Sequence, residues 1–205
     1  MKKEIQIRLI SAADIQEVLN IYAPFVLNTA ITFEYEVPTI AEFRERVHTI
    51  TSEFPWLICV VNGKIAGYTY ANRFRHRTAY QWSVESAIYI SPQTQSKGIG
   101  KALYATLFDL LRLQGYVNVY AGTCIPNDKS VALHRKMGFK EIGTFSKIGY
   151  KHGKWHDTLW FQLNLSAHNG NPEIPTQMAN LKENAGVSSI LENVNQCLNI
   201  AGEKR

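Results

Sequence analysis

Cysteine is scarce and scattered in this 205-residue chain: Cys59, Cys124 and Cys197 are odd in number, far apart and free of any CxxC or Cys/His ligand spacing. Neither a disulfide framework nor a zinc site is indicated, and a reducing, cytoplasmic setting fits that usage. Long apolar runs are missing too. The charged start Met1-Lys2-Lys3-Glu4 leads into alternating residues, and nothing approaches the length of a signal core or a membrane span. A soluble, uncleaved chain without internal repeats is expected. Neither sign of charge dominates: 22 Lys+Arg against 17 Asp+Glu leave a formal +5, a mild bias toward anionic partners that permits nucleic acid without demanding it. What is there is an ordinary globular composition, 45% apolar and 11% aromatic, which excludes disorder throughout and suffices for one sizeable core.

Residues 5–10 alternate apolar and polar positions as a strand does on entering a core. A helix is predicted from Ser11, with Ile15, Val18, Leu19, Tyr22 and Val26 at helical spacing and Asp14 in a near capping-box position. Residues 29–38 hold aromatics and acids without a period and read as a loop or short strand. Thr39 and Glu42 cap a second helix with Ile40, Phe43, Val47 and Ile50 on one face, ended by Pro55. Strands at 56–61 and 65–71 form a hairpin around Asn62-Gly63, which supplies the φ > 0 residues of a tight turn. Further strands are predicted at 83–90, 116–122, 139–146 and 157–165, and helices at 100–113, stopped by Gly115, and from Pro126 to Met137. This order describes an α+β protein, one sheet covered by helices. After Leu165 the chain turns polar. The body is therefore assigned to residues 1–165, and 166–205 to an extension outside the core, in which Val187, Ile190, Leu191, Val194 and Leu198 allow a terminal helix.

Gln95-Ser96-Lys97-Gly98-Ile99-Gly100 falls between a predicted strand and a predicted helix, where N–H groups at a helix start converge on anions. Gly98 and Gly100 permit close approach, and Lys97 and Lys101 add charge, although a turn merely eased by glycine reads the same way. The loop has no Walker A spacing, and Leu103 stands where a dinucleotide fingerprint has its last glycine. It resembles the acyl-CoA-binding Q/R-x-x-G-x-G/A motif of the GCN5-related N-acetyltransferase (GNAT) superfamily. The segments Tyr80-Gln81-Trp82-Ser83-Val84-Glu85-Ser86, Pro126-Asn127-Asp128-x-Ser130-x-x-Leu133-His134, Met137-Gly138-Phe139 and Gly149-Tyr150-Lys151-His152-Gly153-x-Trp155-His156-Asp157 are similar to those of its phosphinothricin N-acetyltransferase branch, which includes acetyltransferases of methionine sulfone and sulfoximine. The likeness runs from about residue 5 to 165; the tail has no recognised counterpart.

The resemblance implies a GNAT fold, a mixed sheet of six to seven strands splayed at the cofactor site and flanked by about four helices, in a homodimer. It implies acetyl-CoA as co-substrate and no metal. Backbone groups of Ile88, Tyr89 and Ile90 would meet the pantetheine arm, and Gln95, Ser96, Lys97, Gly98, Ile99, Gly100 and Lys101 the pyrophosphate. Asn127 and Ser130 are the next candidate ligands, with a plain N-cap the competing role for Asn127. Glu85 sits inside an apolar strand, where it either faces water or, as the resemblance implies, serves as general base. His134, two helical turns after Asn127, is a packing residue on spacing alone; the resemblance makes it a proton carrier assisting Glu85 or the departing thiolate. Phe33, Glu34, Arg73, Arg75 and Tyr80 are the expected substrate side, since an arginine fork matches a carboxylate or phosphinate. Tyr104 and Tyr120 read as core or helix-face aromatics. The expected activity is direct acetyl transfer to the α-amine of a small amino acid or analogue, with no covalent step on Cys59 or Cys124. The alternatives are a GNAT enzyme for another amine (a polyamine, an antibiotic, a protein N-terminus) and a non-catalytic acyl-CoA-binding regulator. Neither nucleic acid nor membrane is an expected partner.

Overall fold

The computed structural model describes residues 4–94, 98–181 and 183–203. Seven strands, β1 (Ile5–Leu9), β2 (Trp56–Val61), β3 (Lys64–Arg73), β4 (Ser83–Ile90), β5 (Asn118–Ile125), β6 (Lys140–Lys151) and β7 (Lys154–Asn164), form one sheet in the order β1-β2-β3-β4-β5-β7-β6. Every pairing is antiparallel except β4 with β5, which is parallel and confined to Ser83–Glu85 against Asn118–Tyr120. Beyond those residues the two strands part, so the sheet is split along the outer half of β4. Among the described residues no helix is long and apolar enough to cross a membrane.

Register assigns the faces. Trp56, Tyr70 and Ala87 lie opposite one another, as do Ile58, Tyr68 and Tyr89, and Asn72, Glu85 and Tyr120 continue the same face. Helices α1 (Ile15–Asn28) and α2 (Ile40–Glu53) cover it, Tyr22 meeting Tyr89 edge-on at 5.1 Å and Phe43 meeting Trp56 at 6.0 Å. Helices α3 (Ile99–Gln114) and α4 (Asp128–Lys136) cover the opposite face, where Val84, Ser86 and Val119 are buried. The α2 cap has the expected box: the Glu42 N–H donates to the Thr39 hydroxyl, and the Thr39 N–H and hydroxyl donate to the Glu42 carboxylate. At the start of α1 a short 3-10 turn, Ala12–Asp14, precedes the helix, and Asp14 accepts from the Ser11 N–H and hydroxyl while pairing with Arg8 at 2.7 Å. The Asn62-Gly63 hairpin has φ values of 49° and 77°, as the turn requires.

Two expectations are corrected. Strands β6 and β7 run far beyond 139–146 and 157–165 to a turn at His152-Gly153. Register shifts at Glu141/Gly143 and Phe145/Gly149, with Lys147 at φ 51°, break the two-residue alternation by which a strand is recognised. The extension beyond Leu165 is also not outside the core: Met178, Leu181 and Val187 are buried in it, and helix α5 (Ala185–Glu203) packs on α3 and β1. The Asn195 amide pairs with β1 as a neighbouring strand would, its Oδ1 accepting from the Ile7 N–H at 2.7 Å and its Nδ2 donating to the Ile7 carbonyl at 3.0 Å.

Candidate active site

A cleft of about 660 Å³ opens where β4 and β5 separate. Ile88, Tyr89 and Ile90 form one wall, Gly98, Ile99, Gly100 and Lys101 at the start of α3 another, and Asn127, Lys129, Ser130, Leu133 and Lys136 of α4 the third, with Phe25 and Ile31 at the end toward α1. Gly98 takes φ +81° to turn the chain into α3, a conformation strained for any residue with a side chain. At Gly100 a Cβ would stand 3.1 Å from Leu133 and 3.7 Å from Ile88, so glycine there lets α3 close on both α4 and β4. First-turn N–H groups of α3, the positive end of its dipole and lysines 101, 129 and 136 bring positive potential to an otherwise largely apolar cleft. That combination fits a long ligand with an anionic end and an apolar arm, which is the chemistry of an acyl-CoA. Gln95, Ser96 and Lys97 lie outside the described residues. No cluster of three or more His, Cys, Asp or Glu among the described residues could hold a metal ion.

Asn127 is the N-cap of α4, its side-chain oxygen accepting from the Ser130 N–H at 3.2 Å, and it also borders the cleft, so both anticipated roles are open to it. Ser130 shares a hydrogen bond of 3.0 Å with the Thr123 hydroxyl. Lys129 and Lys136 escaped the sequence reading although their spacing places them with Leu133 on one face of α4.

Glu85 is half-buried on the α1–α2 face of β4, and desolvation lifts its carboxyl above the ordinary range while Arg75 pulls the other way. Arg75 is exposed, with its guanidinium 4.8 Å over the Phe74 ring, and together with Phe74, Ile142, Gly143, Phe145 and Trp160 it borders a small recess. Tyr80 stands edge-on to Phe74 at 6.1 Å.

His134 is on the other face of the sheet and does not border the cleft. It is 2% exposed and stacked on Phe161 at 4.8 Å. Its Nδ1 lies 2.8 Å from the Ser130 carbonyl, which can only accept, so Nδ1 carries the proton and Nε2 accepts from the Tyr104 hydroxyl at 3.1 Å. Burial lowers its pKa. The sheet thus separates Glu85 from His134, and the imidazole ties α4 to α3; Tyr104, read as an ordinary core aromatic, is its partner.

Of the expected substrate residues, Arg73 is drawn away: it shares the Val84 face and is paired with Glu53 at the end of α2. Glu34 pairs with Arg46 at 2.8 Å, and the Phe33 ring covers the backbone of Gly149. Their loop borders the cleft through Ile31.

A mixed sheet split between parallel strands, with a glycine-started helix facing the split, is the architecture of an acetyltransferase. The chain belongs to that class by sequence as well: residues 7–160 match the family described as Acetyltransferase (GNAT) domain, and the protein is a member of it. Among its relatives, the phosphinothricin N-acetyltransferase of Streptomyces viridochromogenes is 36% identical over 161 residues, 78% of this chain and 88% of that one. The L-methionine sulfoximine/L-methionine sulfone acetyltransferase of Salmonella typhimurium is 30% identical, covering 79% and 95%. Among solved structures, a GNAT superfamily phosphinothricin acetyltransferase from Sinorhizobium meliloti in complex with AcCoA superposes with a TM-score of 0.78 at 35% identity, covering 87% of this chain and 99% of that one.

Proposed function

We propose that this protein transfers the acetyl group of acetyl-CoA to the α-amine of a small amino acid or analogue of the phosphinothricin, methionine sulfoximine or methionine sulfone type. The observation that carries the reading is on β4, where Glu85, half-buried and under the electrostatic pull of Arg75, lies on the strand whose outer half walls the cleft. The names of the relatives agree with it.

Bound acetyl-CoA supplies a thioester whose carbonyl carbon receives the amine nitrogen as the C–S bond breaks. The cleft residues at 88–90, 98–101, 127 and 130, joined by 95–97, hold it along β4 and at the α3 start, with the dipole and lysines balancing its phosphates. Glu85 takes one proton from the substrate ammonium, directly or through a water, and the second N–H proton passes to the leaving sulfur. Its raised carboxyl is a better-matched base for that task than an exposed glutamate. Arg75 pairs with the substrate's carboxylate or phosphinate, with Phe33, Glu34 and Tyr80 around the side chain; Arg73, held by Glu53, takes no part. His134 positions α4 and leaves the proton transfers to Glu85.

We further infer a cytoplasmic homodimer. Three cysteines without a disulfide support the compartment. The exposed Ile142, Phe145, Ile148 and Trp155 on the outer hairpin support the association. Purified protein mixed with acetyl-CoA and each amine, with thiol release followed, tests the reading: turnover with at least one of the three is expected, and none overturns the substrate assignment. Glu85→Gln is expected to lower kcat/KM by about 10²-fold or more and to abolish its rising limb with pH. Full activity across pH would remove Glu85 from the reaction.

A further inference from the structure

The loop between α1 and α2 carries Ile31 to the end of the cleft, beside Tyr89, and a buried lysine from the far edge of the sheet holds that loop. Lys151, the last residue of β6, is 1% exposed, and its Nζ donates to the Val26 carbonyl at 2.6 Å and the Thr32 carbonyl at 2.8 Å. Val26 is in the last turn of α1, where carbonyls lack helical donors and the dipole is negative, a setting suited to a compact cation. The acid nearest in effect, Glu34, is itself paired with Arg46. A cation buried on neutral carbonyls is a costly way to fill space, and desolvation pulls its pKa down.

What the ammonium fixes explains its use. Thr32 is gripped at two polar groups: its carbonyl by Lys151, and its hydroxyl by the hydroxyl of Tyr22 at 2.8 Å, whose ring in turn meets Tyr89 of the cleft wall. On one side of Thr32 stands Ile31. On the other, the Phe33 ring lies on Gly149, where a Cβ would come within 2.4 Å, and the Tyr35 hydroxyl donates to the Tyr150 carbonyl. The hairpin tip and the end of α1 therefore close on this loop through Lys151.

We propose that Lys151 is a positioning residue for the acceptor: by fixing Thr32 it sets where the loop carrying Phe33 and Glu34 lies and where Ile31 stands at the end of the cleft, and hence which amino acid side chains are admitted. This rests on the assignment of an amino acid acceptor above. Lys151→Met keeps the apolar bulk and removes the donors. With whichever acceptor the unmodified enzyme turns over, the amine KM should rise about tenfold or more while the acetyl-CoA KM stays within about twofold, because only the loop end of the cleft has lost its anchor. Hydrogen exchange of the amides at 31–35 should accelerate about tenfold or more in the same variant. An unchanged amine KM, or an equal rise in both KM values, overturns the proposal. Lys151→Gln, which retains an amide donor, should show a smaller rise in the amine KM, and it is read in place of Lys151→Met if that variant does not fold. If neither variant folds, exchange in the unmodified protein decides: protection at 31–35 supports the clamp, and exchange as fast as in the exposed 167–171 segment overturns it. Absence of turnover with every amino acid by the unmodified enzyme counts against the acceptor class, while the exchange comparison still decides whether Lys151 holds the loop.

Discussion

Asp14 and Glu85 are carboxylates pushed in opposite directions. The bidentate Arg8 guanidinium, with the Ser11 hydroxyl and N–H, lowers Asp14 to about 2. The folded chain therefore releases that proton more readily than the unfolded one, and the pair's contribution is present above the ordinary carboxyl range and lost as pH falls toward 2. Because solvent reaches the Arg8 side of the pair and screens it, its size is about 1 kcal/mol. Asp14→Asn should lower stability by about that much at neutral pH and flatten the acid limb of a urea-denaturation series. For Glu85 the sign reverses: burial favours the protonated form, so ionisation at higher pH works against the fold and Glu85→Gln should not lower stability at neutral pH. His134 is held neutral, so as pH drops below the ordinary histidine range the unfolded chain gains a proton that the folded chain refuses. Stability should decline there, and His134→Phe should remove that limb while costing the Tyr104 hydroxyl its bond to the imidazole, at a loss of roughly 1 kcal/mol. Its kcat/KM should fall far less than that of Glu85→Gln. The place of Glu85 was legible because an acid in an apolar strand is conspicuous; the place of His134 was not, since spacing along a helix does not say which side of a sheet the helix covers.

At the scale of elements, α3 and its glycine start follow from local chemistry: a left-handed residue before a helical apolar stripe marks a boundary in any context. Gly100 is different. Its need arises only because Leu133 and Ile88, remote in sequence, close on it. Gly100→Ala is expected to push α3 from the cleft wall and weaken acetyl-CoA binding about tenfold, with a smaller effect on melting temperature, as calorimetric titration would measure. Strands β6 and β7 were only half legible, because bulges interrupt the alternation while the ladder continues across them. The α5 face was legible as an amphipathic stripe, but its destination was not. Asn195→Ala removes both bonds to Ile7 and reopens the edge of β1. A loss of about 1–2 kcal/mol and a greater tendency to aggregate on partial denaturation are expected.

For the whole molecule, the segment after Leu165 wraps the body and is part of its core. Glu173 accepts from the Trp82 indole at 2.7 Å, Thr176 exchanges bonds with Gln114, and Met178, Leu181 and Val187 are buried beneath. Truncation after Leu165 should therefore lower the melting temperature by well over ten degrees or prevent soluble expression, since burial of several large side chains is a large part of a marginal stability. A tail-deleted protein as stable as the full chain would refute this. The class of fold, the cleft loop, the carboxylate in its strand and the amphipathic final helix were determined by the sequence itself, because periodicity, capping residues and glycine conformations act over a few residues. Tertiary structure alone decided that Glu85 and His134 stand on opposite sides of one sheet, that Arg73 is taken by Glu53, and that Lys151 reaches the end of α1. Those outcomes depend on register and on which distant surfaces meet, and no local pattern encodes either.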